Sequence, residues 1–257
     1  PQDRKRRKRM RYIRAAIRSL LFLAITFAVY AVWLAGSFFI PNKPYWQQLC
    51  YRTWARGFAR IANMRVEVIG STPKPPFFLV VNHLSYMDIP AIRSVVDGVF
   101  VAKAEIRDWF IVGKIIADMG QVFIDRKNRR DIPRAGAKII SRLRDGEGVI
   151  VFPEGTSTKG EDVLPFNSSF LQFAAQTDLP VSYASLSYRT PPGQPTANET
   201  VCWWDDTPFL KHILRMFSQP GFSAILNFGE EPVLSTDRKK LAVELRERVR
   251  ERFIPVL

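Results

Sequence analysis

The sequence predicts an α/β domain on a central sheet, preceded by a membrane-associated segment of two helices. Three observations predict it. From Arg65 onward, short apolar runs alternate with helix-length amphipathic stretches. Ser19 to Ile40 is 22 residues without a charge. Residues 1–18 hold nine Lys or Arg and one acid, +8 of the chain's +14. These features divide the 257 residues into a basic arm (1–18), a membrane-associated segment (19–64) and a main domain (65–257).

The basic arm suits either nucleic acid or an anionic membrane surface. The uncharged stretch next to it decides for the membrane and against nucleic acid. As a helix, residues 19–40 would be about 33 Å long, enough to cross a bilayer. A secretory signal peptide would have a shorter apolar core and a small-residue cleavage site, which does not follow Ile40. Pro41 and Pro44 break the first helix. Residues 45–64 then repeat apolar positions at Trp46, Leu49, Cys50, Trp54, Phe58 and Ile61, with Arg52, Arg56 and Arg60 on a ridge. That pattern predicts an interfacial helix or a surface helix packed on the domain.

In the main domain the strands expected are 66–69, 77–82, 99–103, 121–125, 148–152, 181–187, 199–204 and 222–228. The helices expected are 89–96, 106–118, 132–144, 167–176, 208–217 and 236–252, the last capped by Ser235. Thr190 to Thr200, rich in proline, reads as a loop. Cys50 and Cys202 are too few for a disulfide framework. With only His83 and His212 beside them, no Cys/His metal site is expected.

Three strand ends carry chemistry. The run Phe77–Val81 leads into Asn82-His83-Leu84-Ser85-Tyr86-Met87-Asp88. A histidine beside a carboxylate is a general base poised near neutral pH. Five residues apart on a regular helix, the two would point about 140° from each other. They can meet only across a turn; otherwise Asp88 merely caps the next helix. The second strand ends on Asp125-Arg126, whose guanidinium could grip a phosphate. The third ends on Phe152-Pro153-Glu154-Gly155-Thr156-Ser157, where backbone N–H groups and hydroxyls could meet an anion. Nothing matches a P-loop.

Together with Leu179-Pro180-Val181, these blocks resemble the glycerolipid acyltransferase family, especially bacterial 1-acylglycerol-3-phosphate acyltransferases, over residues 60–230. The resemblance implies a mixed sheet flanked by helices. It also implies transfer of a fatty acyl group from acyl-CoA or acyl-carrier protein to the sn-2 hydroxyl of 1-acyl-sn-glycerol-3-phosphate. His83 would be the base and Asp88 its partner; Arg126, Glu154, Gly155, Thr156 and Ser157 would bind substrate. No cofactor and no metal are expected, only the acyl donor as co-substrate and a lysolipid acceptor from the membrane. The expected location is the inner, cytoplasmic membrane, with the domain facing the cytoplasm. Two departures bear on the acceptor. Ser157 stands where the family commonly has arginine, and Asn167 follows Pro165-Phe166 where a basic residue is common. Another lysophospholipid or a lyso-ornithine lipid is therefore an alternative acceptor. A membrane-anchored thioesterase and a non-catalytic lipid-binding protein are the more distant alternatives.

Overall fold

The computed structural model describes residues 2–125, 131–177 and 179–256. Arg126, expected to bind phosphate, lies outside them. The seven strands are β1 (Met64–Ile69), β2 (Phe77–Val81), β3 (Val99–Lys103), β4 (Val122–Ile124), β5 (Gly148–Val151), β6 (Val181–Arg189) and β7 (Phe222–Phe228). They form one sheet in the order β1-β7-β6-β2-β5-β3-β4. All neighbours are parallel except β6 and β7, so the sheet is mixed, with helices on its faces.

The central strands show why the sequence reads as it does. β2 lies between β5 and β6, and each of its five residues is buried. A strand covered on both faces is an unbroken apolar run, which Phe77–Val81 is. β1 is an edge strand and leaves most of its residues partly or fully exposed. The chain leaves β2, passes through helix α3 (Asp88–Arg93) and returns on β3, with β5 between the two. From β5 it crosses the opposite way, to β6 on the far side of β2, and such a reversal opens a crevice at the carboxyl ends of the strands.

Helix α1 runs unbroken from Gln2 to Phe39, so the basic arm and the apolar stretch are one rod. Helix α2 (Lys43–Ala62) folds back along it, entered by the Asn42 side chain, which accepts from the Tyr45 N–H at 3.1 Å. The arginines of the arm grip the domain. Arg14 donates to the Ser218 carbonyl at 2.9 Å; Arg18 donates to those of Phe217, Gln219 and Pro220 at 3.1, 2.6 and 3.1 Å. These carbonyls lie at and just past the end of helix α8 (Phe209–Ser218), where a cation meets both orphan acceptors and the negative end of the helix dipole. Lys8–Phe39 is long and apolar enough to cross a membrane, and none of its most apolar 18-residue stretch is buried.

The arginine ridge of α2 faces the domain. Arg52 pairs with Asp97, its Nε donating at 2.8 Å, and Arg56 Nε donates to the Ser94 carbonyl at 3.1 Å. Arg93, at the end of α3, is wholly buried. It donates to the carbonyls of Val96 at 2.5 Å and Gln48 at 3.0 Å and to Asp97 at 3.0 Å, over the Tyr51 ring. Burial lowers its pKa to about 10.

Three expectations fail. Residues 199–204 form no strand: helix α7 (Ala197–Thr200) ends there, and the Trp203 N–H donates to the Leu84 carbonyl at 2.8 Å. The expected helix 106–118 is a 3₁₀ turn, Ala104–Asp108, then helix α4 (Val112–Asp118). A Cβ on Gly113 would lie 2.2 Å from the Arg107 carbonyl oxygen, so that close bend admits only glycine. Helix α9 (Arg238–Arg252) is capped by Asp237, not Ser235. Helices α5 (Asp131–Arg144) and α6 (Gln172–Gln176) agree with expectation, α6 being shortened by a 3₁₀ turn at Ser168–Leu171.

Candidate active site

Val80 and Val151 are in register on β2 and β5, so the loops after them emerge side by side. His83 and Glu154 lie on those loops. Between His83 and Asp88 the chain turns, the Asp88 N–H donating to the Ser85 carbonyl at 3.1 Å and Ile89 N–H to Tyr86 at 3.3 Å. The turn brings His83 Nδ1 to 2.6 Å from Asp88 Oδ2. Asp88 is fully buried and does not cap the helix it begins. Its Oδ2 also accepts from the Leu84 and Ser85 N–H groups at 2.7 and 3.1 Å. Its Oδ1 accepts from the Tyr188 hydroxyl at 2.7 Å. Four donors on a carboxylate fix its orientation and hold the neutral His83 ring in the tautomer with its proton on Nδ1 and Nε2 free. The ring lies on Phe152, centroids 4.2 Å apart, and about a fifth of the side chain reaches solvent. Nε2 is thus the basic nitrogen available to a reactant.

Glu154 is a strut between loops. Its Oε2 accepts from the His83 N–H and its Oε1 from the Leu164 N–H, each at 2.8 Å. The Thr158 N–H donates to the His83 carbonyl at 3.0 Å. Gly155 has φ +79°, the left-handed conformation that this turn requires. Thr156 is exposed beside it. Ser157 turns its hydroxyl to the Trp203 carbonyl. Ser85 is buried, and its Oγ has no partner among the described residues, so it is no activated nucleophile.

Burial pushes the Glu154 carboxyl up to about 7, against the pull of the two N–H groups. The folded protein then holds this proton to higher pH than the unfolded chain. Stability from this group is complete below about pH 4.5 and falls as pH rises to about 7. Chemical denaturation of Glu154→Gln should lack this slope, a difference from wild type of order 2–3 kcal/mol across the window. Equal pH slopes in the two proteins would refute the assignment.

Sequence reasoning missed Tyr188 and the structural use of Asn82. Tyr188 lies on β6, 100 residues from Asp88, and burial followed by the Asp88 charge holds its hydroxyl well above the phenol range. Asn82 copies a strand: its Nδ2 donates to the Leu186 carbonyl at 2.9 Å and its Oδ1 accepts from the Leu186 N–H at 2.7 Å. The signal for both was the neighbourhood of β2 and β6, which needs the strand order. Tyr188→Phe should lower turnover about tenfold, the worth of one hydrogen bond to a charged acceptor, without moving the lysolipid KM. A change confined to thermal stability would make Tyr188 purely structural.

Residues 63–186 match a family model described as Acyltransferase. A 1-acyl-sn-glycerol-3-phosphate acyltransferase of Neisseria meningitidis is 30% identical over 204 residues, 76% of this chain and 77% of that one. The chain belongs to the glycerolipid acyltransferase family. A lyso-ornithine lipid O-acyltransferase of Brucella abortus is 28% identical over 225 residues, 82% of this chain and 84% of that one. The crystal structure of the 1-acyl-sn-glycerophosphate acyltransferase PlsC from Thermotoga maritima superposes with a TM-score of 0.70 at 25% identity, covering 94% of this chain and 95% of that one. This member of the family is a lysolipid O-acyltransferase of lipid biosynthesis, and that activity implies a lysolipid acceptor and an acyl donor.

Proposed function

We propose that His83 is the general base and Asp88 its partner in direct acyl transfer from a thioester to a lysolipid hydroxyl. The observation that carries this is the 2.6 Å contact of His83 Nδ1 with Asp88, which leaves Nε2 of a partly exposed ring for a reactant. His83 Nε2 takes the hydroxyl proton as the oxygen attacks the thioester carbonyl. The tetrahedral intermediate then collapses, the C–S bond breaks, and the imidazolium returns its proton to the leaving sulfur. Asp88 stabilises the imidazolium between these steps. Glu154 holds the His83 loop in place, and Arg126 with the Gly155–Thr156 turn receives the acceptor headgroup.

The acceptor expected from the sequence is 1-acyl-sn-glycerol-3-phosphate. The Ser157 side chain favours a second reading, and we place it first: a lyso-ornithine lipid. Serine replaces a phosphate-gripping arginine and spends its hydroxyl on Trp203. A zwitterionic ornithine headgroup needs fewer cations than a phosphate does. The relatives above include both specificities. The test is kcat/KM of purified protein on both lysolipids, with Arg126→Ala alongside. Preference for lyso-ornithine lipid by tenfold or more, about 1.4 kcal/mol, is expected. Preference for lysophosphatidate, lost in Arg126→Ala, would return the first acceptor.

We propose further that the α1–α2 hairpin seats the enzyme on the cytoplasmic leaflet without crossing it. Two features support this: α2 commits Arg52 and Arg56 to the domain, and α1 keeps its apolar stretch uncovered. A cysteine at Asn42, in a variant without Cys50 and Cys202, should resist an impermeant thiol reagent outside intact cells. Efficient labelling there would mean a full crossing.

A further inference from the structure

An open cleft of about 1590 Å³ lies between the first turns of α1, the segment around α7, the C-terminal half of α8 and the loop after β5. Its cations come from three separate segments: Lys5, Lys8 and Arg11 from α1, Lys159 from the loop, Arg215 from α8. Two acids, Glu199 and Asp205, line the same space, so the cations lead by three charges. Lys5 and Lys8 are exposed on the first turns of α1. The guanidinium of Arg215 carries a buried Nε with no acceptor among the described residues. Lys159 sits over the half-exposed Trp204 ring at 5.7 Å and is paired with Glu161 at 2.6 Å, which leaves Lys5, Lys8, Arg11 and Arg215 as the cations of the cleft without a carboxylate partner among the described residues.

The cleft adjoins the reacting loop. Lys159 follows Thr158, whose N–H holds the His83 carbonyl, and Trp204 follows Trp203, whose N–H holds that of Leu84. A ligand in the cleft therefore lies one residue from two supports of the His83 turn. The volume exceeds the roughly 300–1,000 Å³ of small-molecule sites. Cations spread over three segments, with Lys5 and Lys8 exposed, suit a salt-sensitive encounter with another protein's surface better than an enclosed ligand. Their sign calls for an acidic partner, and position requires one that delivers something to His83.

Resting on the acyl-transfer reading above, we infer that this cleft is the docking surface for an acidic acyl-carrier protein, the donor of the acyl group. Its acidic face meets Lys5, Lys8 and Arg215, and its prosthetic arm carries the thioester past Lys159 to His83. Coenzyme A is also anionic, but its phosphates sit on one small nucleotide, which need not span from Arg215 to Lys5 and Lys8 on the first turns of α1.

The test is the double charge reversal Lys5→Glu/Lys8→Glu on two exposed positions of α1. Transfer is measured from acyl-carrier protein and from acyl-CoA bearing the same chain, at saturating lysolipid. The carrier-protein kcat/KM should fall at least about tenfold, through KM, while the acyl-CoA value changes less than about twofold. Salt should weaken the wild-type carrier reaction in the same selective way. Equal loss on both donors, no loss on either, or a wild type that accepts only acyl-CoA would each overturn the inference. Binding of holo-carrier protein to the immobilised enzyme, without lysolipid, is measured in parallel. Should no donor support transfer, the acyl-transfer reading fails while this binding still reports on the cleft. Unchanged carrier binding, with lost sedimentation on anionic phosphatidylglycerol vesicles, would assign the arm to lipid and overturn docking.

Discussion

His83→Ala should abolish useful transfer while leaving a folded protein. A positioned general base contributes about 10²–10⁴ in rate, so roughly a thousandfold loss in kcat is expected. The fold should survive because His83 lies in the loop after β2 and packs one face on Phe152, a contact worth about 1 kcal/mol. Single-turnover acyl transfer, beside a thermal unfolding scan, measures both. Near-normal turnover in a folded His83→Ala protein would end the general-base mechanism.

Asp88→Asn should cost roughly a hundredfold to a thousandfold in rate, for a reason visible only in the structure. The Oδ2 position must accept from the Leu84 and Ser85 N–H groups, so the amide oxygen will occupy it. The amide NH₂ then faces Tyr188, whose hydroxyl can rotate to accept. His83 keeps its tautomer and loses only the charge that steadies the imidazolium. Asp88→Ala removes the tautomer control as well and leaves two buried N–H groups unpaired, each worth about 1–3 kcal/mol of stability. Alanine should therefore be worse than asparagine in both rate and denaturation midpoint. The same loss in the two variants would mean that the carboxylate charge is everything and orientation adds nothing.

The fold and the His83–Asp88 pair were legible because their signals are local. β2 reads as buried from five apolar residues, and a turn is the one geometry that unites His83 with Asp88. What was not legible depends on distant partners. Val201 and Cys202 are buried and look like strand residues, yet they are covered by packing and by the Trp203–Leu84 bond rather than by a ladder. Arg14 and Arg18 read as a charge run, but their acceptors lie about 200 residues away at the end of α8. The α2 arginines alternate as an interfacial ridge would, and Asp97 and Ser94 claim two of them. Tyr188 carries no sequence mark at all, since its role exists only once β6 lies beside β2.

The buried Arg93 has a practical corollary for anyone wishing to make the enzyme soluble. Helix α3 is six residues long, about 9 Å, with Asp88 at one end and Arg93 at the other. Arg93 is latched to the Gln48 carbonyl and the Tyr51 ring of α2. Cutting away residues 2–63 would thus do more than free the domain from lipid. It would unlatch the far end of the short lever whose near end holds the imidazole, and a displacement of about 1 Å there can cost a hundredfold in rate. Detergents that pry the hairpin loose should act the same way, as inhibitors rather than mere solubilisers, and lipid that reseats it should restore turnover.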